Sequence, residues 1–269
     1  MIIVGELINA SRKTVKSVIE NRDHNMLRKL AMDQAVAGAD YIDVNAGIFV
    51  AEEAECLKWS IENILNATDN PCCIDTPNPS AMETALAFHQ EKTDKIPMIN
   101  SISLEKNRFE PISSIIAGTD FKVVALCVSD DGMPTTAEQR ISVADKLINS
   151  LVKKNVKLEN IYVDPLVQAI STDSIFGMEF LKSVNEIMTR FEGVHTMCGL
   201  SNISFGMPER KFLNRTFMAM AIACGLDGAI VDPLDEKMMA NIITAEALVG
   251  RDDFCTAYLK AFRAGKIQS

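Results

Sequence analysis

The sequence alternates between short apolar runs and longer amphipathic segments, and this alternation limits the possible folds more than any other feature. Runs rich in β-branched residues predict eight strands, at residues 2–6, 41–45, 72–76, 98–101, 122–128, 161–165, 196–202 and 229–232. Helical periodicity predicts helices at residues 26–38, 51–68, 80–90, 107–117, 136–154, 174–191, 210–224, 236–249 and 254–264. Repeated strand–helix units with short connections require parallel strands joined by right-handed crossovers.

The number of units separates the two common parallel folds. A chain of 269 residues with eight units has the size of a closed barrel, whereas an open doubly wound sheet usually has fewer units. The first turn, Gly5-Glu6-Leu7-Ile8-Asn9, also lacks the GxGxxG pattern of many open sheets. No linker or low-complexity run divides the chain. We therefore predict an α/β TIM (β/α)₈ barrel with a single domain over residues 1–269.

Charge and composition exclude several classes of protein. A net charge of -9 argues against a nucleic-acid or anionic membrane surface. The sequence has neither an apolar run of about 18 residues nor the basic start of a signal peptide, which predicts a cytoplasmic protein. The seven cysteines, without CxxC or Cys/His spacing, predict reduced, buried thiols. The three histidines show no ligand spacing either, so no protein-bound metal is expected.

Polar residues recur where the predicted strands end. They are Glu6, Asn9, Asp43, Asn45, Asp75, Asn100, residues 129–131, Asp164, Ser201, Asn202 and Asp232. A barrel gathers the carboxyl ends of its strands at one rim, where active sites are built. Asp and Asn also favour turns and helix caps, which explains any one of these residues equally well. Their recurrence on nearly every strand indicates a binding site.

The residue types indicate the chemistry of the ligand. A carboxylate accepts two N–H donors, and Asn offers both a donor and an acceptor. Such a ring suits a flat heterocycle edged with amino and lactam groups, as in pterins and guanines, more than a metal or a phosphate. Neither a GxSxG nucleophile motif nor a P-loop occurs.

Seven short motifs together resemble the pterin-binding methyltransferases. They are Gly-Glu-Leu-Ile-Asn at residues 5–9, Asp-Val-Asn-Ala-Gly at 43–47, Ile-Asp-Thr at 74–76, Met-Ile-Asn-Ser at 98–101, Tyr-Val-Asp-Pro-Leu at 162–166, Gly-Leu-Ser-Asn-Ile-Ser at 199–204 and Leu-Asn-Arg-Thr-Phe at 213–217. The resemblance covers nearly the whole chain in order. It implies a TIM barrel, usually a homodimer, that moves a methyl group in either direction between N5 of tetrahydrofolate and the cobalt of a corrinoid (cobalamin) on a separate protein.

The resemblance also implies roles for individual residues. Asp75, Asn100 and Asp164 would bind the pterin edge, and Arg210 would lie against the folate. Asn202 would be the catalytic residue, reaching N5 and the transferring methyl. Its carboxamide suits this role because it can accept a hydrogen bond from protonated N5 or donate one to neutral N5. Supporting roles are expected for Glu6, Asp43, Asn45 and Ser201.

Two alternatives remain open. Dihydropteroate synthase shares the barrel and the pterin-edge carboxylates, but it needs basic residues for a pyrophosphate and a characteristic Asn-x-Thr-Pro-Asp-Ser-Phe loop. Here the corresponding loop reads Asn9-Ala10-Ser11-Arg12. The second alternative is a non-catalytic pterin-binding module.

Absent motifs assign the cobalt to another chain. There is no DxHxxG corrinoid signature, so the corrinoid is expected on a partner protein, and no zinc thiolate triad suits homocysteine as methyl acceptor. The segment after Asn202 departs from the family pattern. Phe205 and Met207 there either meet a corrinoid partner or pack the loop.

Overall fold

Eight parallel strands form one sheet in the computed structural model, which describes residues 1–267. The order is β7-β6-β5-β4-β3-β2-β1-β8. Strands that follow one another in the sequence are therefore neighbours in the sheet, except that β8 pairs with β1. The strands are β1 (Ile2–Asn9), β2 (Tyr41–Asn45), β3 (Cys72–Asp75), β4 (Met98–Leu104), β5 (Lys122–Ser129), β6 (Ile161–Asp164), β7 (His195–Thr196) and β8 (Gly228–Val231). This arrangement confirms the predicted TIM barrel.

Helices surround the sheet in the same sequential order. They are α1 (Lys13–Glu20), α2 (His24–Ala37), α3 (Glu53–Ala67), α4 (Pro79–Lys92), α5 (Lys106–Ile116), α6 (Ala137–Lys153), α7 (Phe176–Arg190), α8 (Arg210–Ala223), α9 (Glu236–Leu248) and α10 (Thr256–Arg263). Sequence reasoning missed only α1 among these. Its buried residues, Val15, Val18 and Ile19, have helical spacing, but the helix is short and its N-terminal residue Arg12 provides no side-chain cap.

The barrel closes between β7 and β8 through a few hydrogen bonds beyond the end of β7. The amide of Ile230 on β8 donates to the carbonyl of Cys198 at 2.9 Å, while on the other side the amide of Met197 donates to the carbonyl of Val163 on β6 at 2.9 Å. Gly199 then forms a single parallel bridge with Ile230.

The predicted strand at residues 196–202 is wrong beyond Thr196. Strand β7 ends there, and Leu200–Ser204 forms a 3₁₀ turn instead. Ser and Asn side chains compete for nearby backbone groups and favour turns over ladders. Asn202 therefore lies on a turn at the rim and not at the end of a strand.

The inward-facing side chains change from apolar to polar along the strands. One inner layer consists of Val4, Tyr41, Cys73, Met98, Val124, Tyr162 and Met197. Strand side chains alternate between faces, so the next inward positions lie two residues further on. They are Glu6, Asp43, Asp75, Asn100, Leu126, Asp164 and Gly199. The barrel thus has a packed floor and a polar upper layer.

The cysteines and helices bear on two expectations from the sequence. None of the seven cysteines, all within residues 1–267, forms a disulfide; five are buried, Cys224 is partly buried and Cys255 is exposed, so the expectation of burial is wrong for those two. Within the described part of the chain, no helix is long and apolar enough to cross a membrane.

We predict that Phe180→Ala lowers the free energy of unfolding by about 3–5 kcal/mol, because it removes a large buried side chain and leaves a cavity. The Phe180 side chain is fully buried, and its ring centroid lies 5.5 Å from that of Phe217 across α7 and α8. Phe212→Ala is the control, since Phe212 is 69% exposed and its loss should change stability by less than about 0.5 kcal/mol. Urea denaturation measures both; equal losses would contradict the assignment of Phe180 to the core.

Candidate active site

A row of polar side chains crosses four adjacent strands at the carboxyl end of the barrel. The strand register pairs Asn9 with Asn45, Asn45 with Asp75, and Asp75 with Asn100. Asn45 Nδ2 donates to Asp75 Oδ2 at 2.9 Å, while Asn45 Oδ1 accepts from the amide of Gly47 at 3.1 Å. The two bonds fix the orientation of the Asn45 carboxamide. Asn45 therefore holds Asp75 in place, and its supporting role at a ligand site stays a prediction.

Asp43 lies below this row, on the same inward face of β2. Its Oδ1 accepts from Asn100 Nδ2 at 3.4 Å, and the thiol of Cys73 also contacts it. Burial, together with the nearby charge of Asp75, raises the pKa of Asp43 well above its ordinary value. Asp43 is therefore placed to orient Asn100 rather than to meet a ligand directly.

Opposing effects act on the pKa of the Asp75 carboxyl group. Burial raises its pKa above the ordinary value, while the hydrogen bond from Asn45 and the charge of Arg108 act in the other direction. Arg108 lies on α5 and donates through Nη2 to the carbonyl of Ser101 at 3.2 Å. Sequence reasoning missed Arg108, because the packing of α5 against the rim could not be read from spacing.

Asp164 faces this row from β6. It is buried, and its Oδ1 accepts from the amide of Leu166 at 2.8 Å, with a second backbone bond from Gly199. Burial raises the pKa of Asp164 to about 7, despite these bonds and the nearby charge of Arg140. The bond from Gly199 connects Asp164 to the segment that carries Asn202.

Asn202 presents its carboxamide at the surface of the rim. The residue is exposed, and within residues 1–267 its side chain makes no hydrogen bond. It lies three residues after Gly199, whose amide donates a hydrogen bond to Asp164. The free carboxamide and the bond to the buried carboxyl group therefore come from the same segment of chain.

Arg210 holds the turn that carries Asn202. Its Nη2 donates to the carbonyl of Ser201 at 2.6 Å, and its Nε donates to Ser204 Oγ at 3.0 Å. Ser204 Oγ in turn donates to Asn214 Oδ1 at 2.6 Å. Arg210 and Ser201 thus stabilise the turn, and a direct contact between Arg210 and a ligand stays a prediction.

Glu6 completes the rim between β1 and β8. Arg12 donates through Nη2 to Glu6 Oε1 at 2.7 Å. Burial is the largest influence and raises the pKa of Glu6, and the charge of Asp232 adds to it against the opposing charges of Arg12 and Arg210. Glu6 is therefore paired with Arg12 at the rim, and its supporting role stays a prediction.

The segment after the turn is only partly packed. Phe205 is 67% exposed and lies 5.9 Å from the Arg210 guanidinium, whereas Met207 is half-buried. Phe205 therefore does not pack the loop. Among the described residues, no group of three or more His, Cys, Asp or Glu side chains could hold a metal ion.

The fold and the site together define a class. This is an α/β barrel whose upper layer carries carboxyl and carboxamide groups. A model of the family described as "Pterin binding enzyme" matches residues 5–232. The chain belongs to this family, which confirms the resemblance drawn from the motifs.

Individual relatives are of two kinds. The methylcorrinoid:tetrahydrofolate methyltransferase of Eubacterium limosum is 36% identical over 269 residues, covering 99% of this chain and 98% of that protein. The methionine synthase of Mycobacterium tuberculosis is 27% identical over 244 residues, covering 86% of this chain but only 20% of that protein.

Solved structures with the same fold include two dihydropteroate synthases. The enzyme from Xanthomonas albilineans in complex with 7,8-dihydropteroate has a TM-score of 0.69 at 15% identity, covering 93% of this chain and 94% of that one. The enzyme from Coxiella burnetii in complex with pteroic acid has a TM-score of 0.68 at 14% identity, with coverage of 93% and 94%. At these identities the likeness establishes the fold alone.

We predict that Asp164→Asn removes a pH-dependent loss of stability. A carboxyl group whose pKa is about 7 when folded keeps its proton in a range where the unfolded chain has released it. The free energy of unfolding of the native protein should therefore fall, relative to the variant, as the pH rises from about 4 to about 7, and the difference should level off above that.

Urea denaturation of both proteins across this pH range measures the difference. Asn has the size of Asp but does not titrate, so packing changes cancel from the pH dependence. A stability difference that is constant with pH would contradict the assignment of a raised pKa to Asp164.

Proposed function

We propose that this protein transfers a methyl group between a corrinoid carried by a separate protein and N5 of tetrahydrofolate. The relative from Eubacterium limosum supports this proposal, because the alignment extends over nearly the full length of both chains. The methionine synthase relative is consistent with it. There the matched part is a fifth of a larger protein. The methyl donor or acceptor on cobalt would be presented by the partner as a substrate.

The observation that carries the proposal is the free carboxamide of Asn202 on the same segment as Gly199, whose amide donates a hydrogen bond to Asp164. The buried carboxyl groups would bind the edge of a pterin. The Asn202 carboxamide, on a separate turn, would form a hydrogen bond further along the ring. Asp75 and Asp164 would accept hydrogen bonds from ring N–H and amino groups. Asn100, oriented by Asp43, would contribute a donor or an acceptor as the pterin edge requires.

Burial makes the carboxyl groups responsive to such a ligand. The pKa values of Asp75 and Asp164 are both raised because water is excluded from them. N–H donors from a pterin would stabilise the ionised forms, since hydrogen bonds to a carboxylate are roughly twice as strong as those between neutral groups. The hydrogen bonds from the ligand would therefore replace those that water makes to these carboxyl groups in the unfolded chain.

The role of Asn202 follows from the charge that develops at N5. When tetrahydrofolate accepts the methyl group, the N5 lone pair attacks the methyl carbon, the carbon–cobalt bond breaks, and both of its electrons stay with cobalt. N5 gains positive charge and then releases its proton. Asn202 can accept a hydrogen bond from this N–H as the charge forms, which stabilises the transition state more than the ground state.

The reverse transfer uses the same interaction. N5 of methyltetrahydrofolate is a poor leaving group until it carries positive charge, and Asn202 can hold the proton at N5 by accepting its hydrogen bond. Because a carboxamide both accepts and donates, one residue serves N5 in its protonated and neutral forms. Arg210 contributes by fixing the turn that carries Asn202.

The test is spectroscopic. The purified protein is mixed with tetrahydrofolate and methylcobalamin, and separately with methyltetrahydrofolate and cob(I)alamin, and the cobalt absorption spectrum is followed. Transfer in either direction supports the proposal. Condensation of a pterin pyrophosphate with p-aminobenzoate, without methyl transfer, would replace it with a dihydropteroate synthase activity. Folate binding with neither reaction would favour the binding module.

We also propose that two copies of the chain associate. Exposed apolar side chains at and before α10 support a contact there: Phe254 is 96% exposed, Phe262 60% and Leu259 44%. A surface of this kind is unusual on a monomer. Sedimentation equilibrium should give twice the mass of 29.6 kDa, and a monomer at micromolar concentration would contradict the proposal.

We predict that Asn202→Ala lowers the rate of methyl transfer by about a hundredfold or more, the effect of removing one group that stabilises transition-state charge. The affinity for tetrahydrofolate should change little, because the pterin edge is held elsewhere. Stopped-flow single turnovers and equilibrium binding separate the two quantities. Asn149→Ala is a matched control, since Asn149 is an exposed carboxamide that bonds only within α6. Equal losses of rate and affinity would place Asn202 at the pterin edge instead.

A further inference from the structure

Arg140 is a fully buried arginine. Its guanidinium donates hydrogen bonds to backbone carbonyls and to a side-chain amide oxygen. It lies in the first turn of α6, and its Nη1 donates to the carbonyl of Thr135 at 3.0 Å. Its other bonds go to the segment that follows β6. Nε donates to the carbonyl of Pro165 at 2.8 Å, and Nη2 donates to the carbonyl of Leu166 at 3.5 Å and to Gln168 Oε1 at 2.7 Å.

The segment that Arg140 holds is the one that orients Asp164. Leu166 adopts a left-handed backbone conformation, with φ of 67°, and its amide donates to Asp164 Oδ1 at 2.8 Å. This conformation is unfavourable for a residue with a Cβ and persists only where the surroundings enforce it. Arg140 provides such enforcement, because its planar fork binds the carbonyls of Pro165 and Leu166, which lie on the two sides of the Leu166 Cα.

We infer that Arg140 is a positioning residue for the ligand: by fixing the turn at Pro165 and Leu166 it sets the direction of the Asp164 carboxyl group. The inference rests on the proposed function for the identity of the ligand, a pterin edge that donates N–H bonds to Asp164. Arg140 itself is buried behind the turn and does not reach the rim.

Arg140 also acts on Asp164 through its charge. The groups around Asp164 come from several elements: Cys127 on β5, Cys198 beyond β7 and Arg140 on α6, while Glu179 on α7 faces Arg140. Both thiols have raised pKa values because they are buried, so they stay neutral. Arg140 is thus the positive charge that favours ionised Asp164, the form that accepts pterin N–H donors.

Two substitutions separate geometry from charge. Arg140→Lys keeps the positive charge but loses the planar fork, so several of the bonds to Pro165, Leu166 and Gln168 are lost. Arg140→Met removes both. Arg251→Lys is the matched control, because Arg251 likewise donates to two backbone carbonyls, of Leu226 and Ile222, but before β8 at the opposite end of the barrel.

The first measurement is the affinity for tetrahydrofolate at pH 8, by isothermal titration calorimetry. Arg140→Lys should weaken binding about five- to tenfold, the effect of one or two lost hydrogen bonds. Arg251→Lys should lower Tm without changing affinity. Wild-type affinity in Arg140→Lys, or an equal loss in Arg251→Lys, would overturn the positioning role.

The second measurement needs no ligand. The carboxyl ¹³C resonance of Asp164, assigned by its absence in Asp164→Asn, reports the titration of this group in the free protein. The midpoint should move to higher pH in Arg140→Met, which loses both the charge and the bonds that hold Leu166, and by less in Arg140→Lys, which keeps the charge; in Arg251→Lys it should stay at the wild-type value. An equal shift in Arg140→Met and Arg140→Lys would remove the electrostatic part of the inference; if Arg140→Met does not fold, an unchanged midpoint in Arg140→Lys would contradict the positioning role.

The two measurements keep this inference distinct from the proposed function. If native protein binds no tetrahydrofolate, the proposed function fails, and the resonance of Asp164 still decides whether Arg140 controls that carboxyl group. If native protein binds tetrahydrofolate and both arginine variants bind it equally well, the proposed function stands and the positioning role fails.

Discussion

The exclusion of water from the carboxyl groups at the rim is the constraint on which the site depends. Asp43, Asp75 and Asp164 sit in the upper layer of a barrel whose floor is packed with apolar side chains. A carboxyl group in such a place must be hydrogen-bonded or stay protonated. The structure meets this need with carboxamides, backbone amides and distant cations rather than with ion pairs.

Two kinds of support hold this layer in position. On the side of β2, β3 and β4, the support is in the sheet itself, since the strand register sets Asn45 beside Asp75 and Asp75 beside Asn100. On the side of β6 and β7 the strands are short, and arginines from the helices do the same work: Arg140 fixes the turn after Asp164, and Arg210 fixes the turn that carries Asn202. Strand pairing thus holds one side of the rim, and arginine side chains hold the other.

This division also explains what sequence reasoning could reach. The barrel, its strand positions and the inward row of polar residues follow from periodicity, because alternation along a strand is written in neighbouring residues. Asp75, Asn100 and Asp164 could therefore be placed at one rim. The partners that hold them, such as Arg108 with Ser101 or Arg140 with Pro165, come from separate elements brought together by packing, and nothing in the local sequence marks them. The motif at residues 199–204 locates Asn202, but apolar residues that continue through Met197 and Cys198 predict a strand where the structure has a turn.

The shortness of β7 has a consequence for motion. Only a few backbone bonds join this part of the sheet to β6 and β8, and the chain then enters a 3₁₀ turn, whose hydrogen bonds are weaker than those of an α-helix. Local opening of a protein takes place where such bonds are fewest. The carboxamide of Asn202 thus lies where the barrel closes, and the backbone there can open more readily than that of the longer paired strands on the opposite side.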